Sequence, residues 1–504
     1  MKVDYIKKIL NAPVYDAAVE TPIDKAVILS KRLENRILIK REDLQPVYSF
    51  KIRGAYNKMA QLNEKEKKNG VIAASAGNHA QGVALAAIKL NIQATIVMPV
   101  TTPAIKVDSV REKGSTVILQ GDTFNEAYTH AVKIMEKEGL TFIHPYDDPD
   151  VIAGQGTIGM EILRRYSEIP DIVFVPVGGG GLLAGISVYI KFLNPSVKIY
   201  GVEADNSACL KAAMNAGERV KLDQVGIFAD GVAVNMIGEE TFRVIRENID
   251  GVITVSTDEI CAAIKDIYDD TRAITEPAGA LAIAGLKKYV ENEKIKGQTL
   301  LAVNSGANIN FDRLRHISER TEIGEKREAI FAVEIPEKSG SFKQFCTALQ
   351  KRNITEFNYR YSDPEKALVF VGIQLENPHE GRSLIYSDLK EMGYKVNDLS
   401  DDEIAKLHIR HMVGGRAPDI NNEKVFSFEF PERPGALMKF LNGLGHNWNI
   451  SMFHYRNHGA AYGRVLAGLQ IEAEEVDMVK EYLSKLGYRY KEITDNIAYN
   501  LFLN

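Results

Sequence analysis

Residues 171–193 read DIVFVPVGGGGLLAGISVYIKFL, and this stretch decides the fold. The β-branched run 171–177 reads as a buried strand, and LLAGISVYIKFL (182–193) has the length and apolar content of a buried helix. Between them lie Gly178, Gly179, Gly180 and Gly181, with Leu182 as the expected start of the helix. Such a turn gathers unencumbered N–H groups at the positive end of a helix dipole, which makes a cradle for a phosphate. A flexible glycine linker is the competing reading, but linkers rarely join a buried strand to an apolar helix. No GK[ST] ending follows the glycines and no GxGxxG spacing with an acidic partner is present, so a monophosphate fits better than a nucleotide.

The same alternation extends on both sides. From about residue 20 to 310, short β-branched runs alternate with longer segments of helical period, the pattern of an α/β protein with a parallel sheet and crossover helices. VIAA (71–74) reads as a strand, SAGNH as a loop, AQGVALAAIKL (80–90) as a helix and ATIVMP (94–99) as the next strand. A further helix is expected after TTP (101–103), with Thr102 as N-cap and Pro103 in its first turn.

Bulk properties narrow the functional class. A chain of 504 residues exceeds what one core supports, so two or three domains are expected. Lys and Arg total 62 against 67 Asp and Glu, with no basic arm, which argues against nucleic acid as a partner. Cys209, Cys261 and Cys346 are isolated and odd in number, against a disulfide framework or a zinc site and in keeping with a reducing cytoplasm. The start, MKVDYIKKILNAPVYD, places Asp4, Lys7 and Lys8 where a signal peptide needs its apolar core, so no export signal is expected. No run approaches the ~18 apolar residues of a membrane span, so no membrane partner is expected either.

After about residue 320 the texture changes, with the charged segment SERTEIGEKREA read as a linker. An internal repeat follows. EIPEKSGSFKQF begins at Glu334 and EFPERPGALMKF at Glu429, a separation of 429 − 334 = 95. NITEFNYR begins at Asn353 and NISMFHYR at Asn449, a separation of 449 − 353 = 96. Each copy reads as a strand, a turn, a helix and two further strands, a small α+β unit present twice and joined near HIRHMVGGRAP. The expected domains are 1–320, 328–403 and 424–504.

One lysine stands out in VYSFKIRG (47–54): Lys51 sits in half-apolar company. A solvated helix-start lysine is the ordinary reading. A lysine together with a monophosphate cradle instead suggests pyridoxal 5'-phosphate, which needs an amine and a phosphate anchor.

SFKIRGA, SAGNHAQG, PYDDPDVIAGQGTIG, PVGGGGLLAG, TEPAGALA and NSGANINFDRLR occur in that order. The set resembles the tryptophan-synthase-β type (fold type II) of pyridoxal phosphate enzyme, and within it the biosynthetic threonine ammonia-lyases. The C-terminal repeats resemble that family's ACT-like regulatory domains. The resemblance implies a two-lobed parallel-sheet catalytic domain followed by two ACT-like domains. It implies that Lys51 holds the cofactor and acts as the base, its apolar company lowering the amine pKa towards neutrality. It implies that Asn78 bonds the ring's phenolic oxygen, that Gly178–Gly181 and Leu182 hold the phosphate, and that Ser305 faces the pyridine nitrogen. Ser75, Ala76, Gly77 and Asn78 would hold the substrate carboxylate. For Ser305 a strand-ending turn, and for Glu276 a first-turn helix acid, stay open as alternatives.

Departures also inform. Serine racemases of this fold carry a serine where this chain has Ala76, which disfavours racemisation, and EADNSAC lacks the second carboxylate of their divalent site, so no metal is expected. The expected reaction is deamination of L-threonine to 2-oxobutanoate and ammonia, with L-serine as a secondary substrate. The expected effector is isoleucine, with valine as a further candidate, and the expected assembly is a cytoplasmic homotetramer. The rival readings are a threonine synthase or cysteine synthase type of enzyme, and an amino-acid sensor without turnover.

Overall fold

Alternating buried strands and helices build a first unit, Met1–Gly324, and an antiparallel repeat builds a second, Glu325–Asn504. The computed structural model describes residues 3–121, 123–165, 169–226, 228–311, 313–324, 328–349, 352–361, 363–375, 381–402, 405, 410, 417, 420, 422–431, 436–444, 448–456, 462–495 and 499. The turn at 432–435 and most of the expected joint at 408–418 lie outside the described residues.

In chain order the first unit contains β1 (Ile23–Lys25), β2 (Arg36–Arg41), β3 (Val71–Ala74), β4 (Ala94–Met98), β5 (Thr116–Leu119), β6 (Thr141–Phe142), β7 (Ile172–Pro176), β8 (Lys198–Ala204), β9 (Gly251–Val255) and β10 (Thr299–Asn304). They form two sheets, one ordered β1-β2-β10-β7-β8-β9 and one ordered β5-β4-β3-β6. All neighbours are parallel except β1 against β2. β3 and β7 are buried along their whole length, which is why VIAA and IVFVP read as unbroken apolar runs rather than alternating ones.

Glycines set how closely the helices pack. A Cβ on Gly154 would lie 2.5 Å from the Arg53 carbonyl oxygen, and one on Gly185 would lie 2.6 Å from the Gly156 nitrogen. The VIAGQGTIG motif is therefore a contact surface, letting the Pro149–Arg165 helix press on both the Lys51–Ala60 and the Gly181–Leu193 helices.

Three expectations shift. The helix after TTP spans Ala104–Arg111, and Pro103 is its N-cap with an extended ψ of 138° and no side-chain cap bond. Thr102 is not the cap, because the helix begins one residue later than expected. The Gly181–Leu193 helix starts at Gly181 rather than Leu182, since Gly180 takes the left-handed φ of 93° that ends the turn. The segment read as a charged linker begins as structure: the Arg313–Gly324 helix buries Ile317 and bonds Arg320 to Asp258 at 2.6 Å.

The second unit holds β11 (Glu328–Pro336), β12 (Ile354–Arg360), β13 (Lys366–Gln374), β14 (Lys395–Asp398), β15 (Glu423–Pro431), β16 (Asn449–Arg456), β17 (Tyr462–Gln470) and β18 (Arg489–Glu492). They make one eight-stranded sheet ordered β14-β11-β13-β12-β16-β17-β15-β18. Copy one reads outward to the left and copy two to the right, joined at β12–β16. Even the irregularity repeats: the register shifts at Ile354/Glu356 and again at Ile450/Met452, 96 residues on (450 − 354). One core runs through both copies, from Phe331, Phe345 and Phe357 to Phe428, Phe440 and Phe453.

Candidate active site

Lys51 is the first residue of the Lys51–Ala60 helix. The segment before it is fixed by Tyr48, whose φ of 55° is left-handed, and by pairing with the chain that leaves β10. Ser49 bridges Gly306, the Phe50 N–H donates to the Ser305 carbonyl at 3.3 Å, and the Ala307 N–H donates to the Tyr48 carbonyl at 2.9 Å. Such a strained turn persists only where its surroundings hold it. Here it brings Lys51 and Ser305 together, though the Ser305 hydroxyl donates to the Ala278 carbonyl at 3.3 Å.

The Lys51 amine donates to the Pro145 carbonyl oxygen at 3.0 Å, and no carboxylate of the described residues pairs with it. Burial lowers its pKa to about 8, against an opposing pull from Glu276. A helix crosses close behind: a Cβ on Gly82 would lie 3.1 Å from the Lys51 main chain.

The glycine turn after β7 has no room for side chains. A Cβ on Gly179 would lie 2.2 Å from the Tyr146 ring, one on Gly181 2.9 Å from the Tyr146 carbonyl, and one on Gly178 3.0 Å from Val232. Tyr146 is held by its neighbour Asp147, whose carboxylate accepts from the Glu239 and Glu240 N–H groups at 2.9 Å. Glycines, Gly180 and Gly77, are the N-caps of the Gly181–Leu193 and Asn78–Leu90 helices, so neither N-cap spends a side chain on the first N–H groups, which suits both N-termini to an anion. Leu182 itself packs into the core.

Residues 75–78 turn from β3 into the Asn78–Leu90 helix, and the Ser75 hydroxyl accepts from the Gly77 N–H at 3.3 Å. The Asp230–Val232 turn lies between the two glycine-bearing loops: Val232 backs Gly178, while a Cβ on Gly231 would lie 3.8 Å from the Asn78 side-chain nitrogen. Glu276, the N-cap of the Pro277–Glu293 helix, is 3% exposed and accepts from Asn78 Nδ2 at 2.6 Å. Burial first, then the Asp230 charge, pushes its pKa up to about 7. A cavity of about 260 Å³ is lined by Ala76, Thr102, Lys106, Asp230, Glu276 and Asn308 among others. Lys106 pairs with Asp230 across it at 2.9 Å.

The sequence reading missed Asn308 and Pro145 and left Glu276 open. Asn308 lay inside a quoted motif, NSGANINFDRLR, and a polar side chain just beyond a buried strand end was the available signal. Glu203, the first residue of EADNSAC, accepts from the Leu210 and Lys211 N–H groups at 2.8 Å each. Among the described residues no group of His, Cys, Asp and Glu side chains is placed to hold a metal ion, and no helix is long and apolar enough to cross a membrane.

A side-chain-free glycine turn at an uncapped helix end, near an unpaired amine of lowered pKa, fits pyridoxal phosphate. The family described as pyridoxal-phosphate dependent enzyme matches residues 14–306, and the C-terminal regulatory domain of threonine dehydratase matches twice, at 319–409 and 414–503. The chain is 54% identical over 504 residues to the L-threonine dehydratase biosynthetic IlvA of Burkholderia multivorans, covering 99% of both. Against the protein of that name from Escherichia coli it is also 54% identical, covering 99% of this chain and 97% of the other. The chain belongs to the biosynthetic threonine dehydratases. The solved processed form of threonine deaminase isoform 2 from Solanum lycopersicum aligns with a TM-score of 0.62 at 53% identity, covering 63% of this chain and 92% of that one. Membership in this family makes the chain a pyridoxal-phosphate-dependent lyase whose repeats are its regulatory domains.

Proposed function

We propose that this dehydratase deaminates L-threonine to 2-oxobutanoate and ammonia, with L-serine as a secondary substrate, through Lys51 and the two strand-end loops that flank it. Bound there, pyridoxal phosphate supplies an electron sink for loss of the α-proton and then of the β-hydroxyl. Lys51 Nζ would hold the cofactor and, once displaced by the substrate amine, take up the α-proton. Gly178–Gly181 and the Leu182 N–H would hold the phosphate at the helix N-terminus, Asn78 and Ser305 would contact the ring, and residues 75–78 would receive the substrate carboxylate.

The observation that carries this reading is the unpaired Lys51 amine, poised at about 8. A lysine that must attack and later accept a proton works best near the ambient pH. The test is product analysis with threonine as sole substrate: 2-oxobutanoate and ammonia in equal amounts are expected. Threonine left unconsumed unless a second nucleophile is added would point to a replacement enzyme instead.

For the second unit we infer feedback inhibition by isoleucine, with valine as a second effector, in a cytoplasmic homotetramer. A crease between the two copies is lined by Phe342, Leu441, Leu444, Trp448 and Ile450 together with Lys338 and Lys343, and the buried Trp448 indole N–H has no acceptor among the described residues. Apolar walls beside cations suit an aliphatic amino acid. A fragment ending at Gly324, where the last packed helix of the first unit stops, should deaminate threonine without responding to isoleucine. Continued inhibition of that fragment would remove the second unit from the regulatory reading.

A further inference from the structure

Asn78 is held at both ends of its carboxamide. Its Nδ2 donates to Glu276 Oε1 at 2.6 Å, and its Oδ1 accepts from Asn308 Nδ2 at 2.7 Å. The two partners differ in polarity. An ionised carboxylate only accepts, and the NH₂ of Asn308 only donates. Asn308 cannot turn to offer its oxygen without cost, because its Nδ2 also donates to the Val47 carbonyl at 2.8 Å. Its main-chain N–H in turn holds the Glu276 carboxylate. Glu276 is anchored through its own N–H, which donates to the Gly306 carbonyl at 3.1 Å.

We propose that Glu276 and Asn308 are positioning residues that fix which way the Asn78 carboxamide faces, leaving its second Nδ2 hydrogen as the donor to the cofactor. A reversed amide would set oxygen against carboxylate and NH₂ against NH₂, losing both bonds and adding two repulsions. Three segments distant in sequence meet in the clamp: the start of the Asn78–Leu90 helix, the N-cap of the Pro277–Glu293 helix and the chain after β10. The proposal rests on the reading that Asn78 meets the cofactor.

The experiment compares the full-length apo protein with Asn308→Asp, Asn308→Ala, Glu276→Gln, Glu276→Leu and Asn78→Ala. It is run at about pH 8.5, where Glu276 is ionised. The readouts are the Kd for pyridoxal 5'-phosphate, the position of the visible band and the apo melting temperature. Asn308→Asp should draw the Asn78 NH₂ to the wrong side, weakening cofactor binding about tenfold and moving the band, by more than Asn308→Ala does. Glu276→Gln, whose oxygen still accepts, should stay near the unmodified protein while Glu276→Leu does not. Asn308→Ala as harmful as Asn308→Asp, or Kd losses that follow melting temperature with the band unmoved, would overturn the clamp. If Asn308→Asp does not fold, the Glu276 pair decides: Gln no better than Leu overturns it. Asn78→Ala with unchanged Kd and band would instead overturn the reading of Asn78, whereas a harmful Asn78→Ala beside silent Asn308 and Glu276 variants sinks the clamp alone.

Discussion

Two cations two residues apart on one helix meet opposite surroundings. Arg53 is fully buried, donating to Glu42 at 2.8 Å and to Glu161 at 2.5 Å, with Lys40 bonded to the same Glu161 at 2.5 Å. Burial alone would lower the Arg53 pKa, but Glu42 and Glu161 hold it well above the ordinary value. Lys51 instead has the Pro145 carbonyl oxygen and the Phe50 ring, whose centroid lies 5.2 Å away, so burial wins and its pKa falls to about 8. Two bonded carboxylates hold the buried Arg53 fully charged, whereas burial dominates at Lys51, whose amine has no carboxylate bonded to it among the described residues.

Activity gives the largest contrast. Lys51→Ala should lower deamination of threonine by at least ~10³-fold while the protein stays folded, as judged by circular dichroism. Arg53→Met should act on folding instead. It strands Glu42 and Glu161 without a guanidinium, a loss of about 3–5 kcal/mol that denaturant unfolding of the apo protein should reveal. If Arg53→Met unfolds like the unmodified protein, the paired half of the comparison is wrong.

The next contrast has the opposite sign. An unfolded lysine titrates near ~10.4, whereas folded Lys51 does so at about 8. Between those values the unfolded chain holds a proton that the folded protein has shed, so this group makes stability rise with pH across the window. Below about 8 the protonated amine carries a burial penalty that the opposing pull of Glu276 only partly offsets. Lys51→Met should therefore stabilise the apo protein at neutral pH, with an advantage that shrinks as pH rises through the window. A variant less stable at pH 7 would mean that Lys51 is paired in solution.

Lys58, a third cation on this helix, supplies the smallest effect. It pairs with Asp148 at 2.8 Å and Asp150 at 3.5 Å, all partly exposed. Lys58→Ala should cost about 0.2–1 kcal/mol, and less in high salt.

These contrasts also mark what the sequence made legible. The strands, the glycine turn and Lys51 were readable because each has a local cause: a β-branched run, four glycines, a lysine in apolar company. The repeat was readable from its spacings of 95 and 96 residues. That its halves share one sheet was not, since β12 pairs with β16 through main-chain bonds that no side-chain pattern announces. Nor was the partner set of Arg53, whose carboxylates sit 11 and 108 residues away along the chain. Asn308 escaped and Glu276 stayed open for the same reason: each is an ordinary loop or helix-start residue until tertiary packing brings it to Asn78.

The unpaired amine is tested most directly by cofactor uptake. Pyridoxal 5'-phosphate is mixed with the apo protein at a series of pH values, and the rate at which the borohydride-reducible visible band appears is recorded. The expected rate climbs with pH as Lys51 loses its proton, levels off above about 8, and is absent in Lys51→Ala. A rate that still climbs towards pH 10 would show an ordinary solvated lysine, and a reducible band in the alanine variant would place the attachment on another residue.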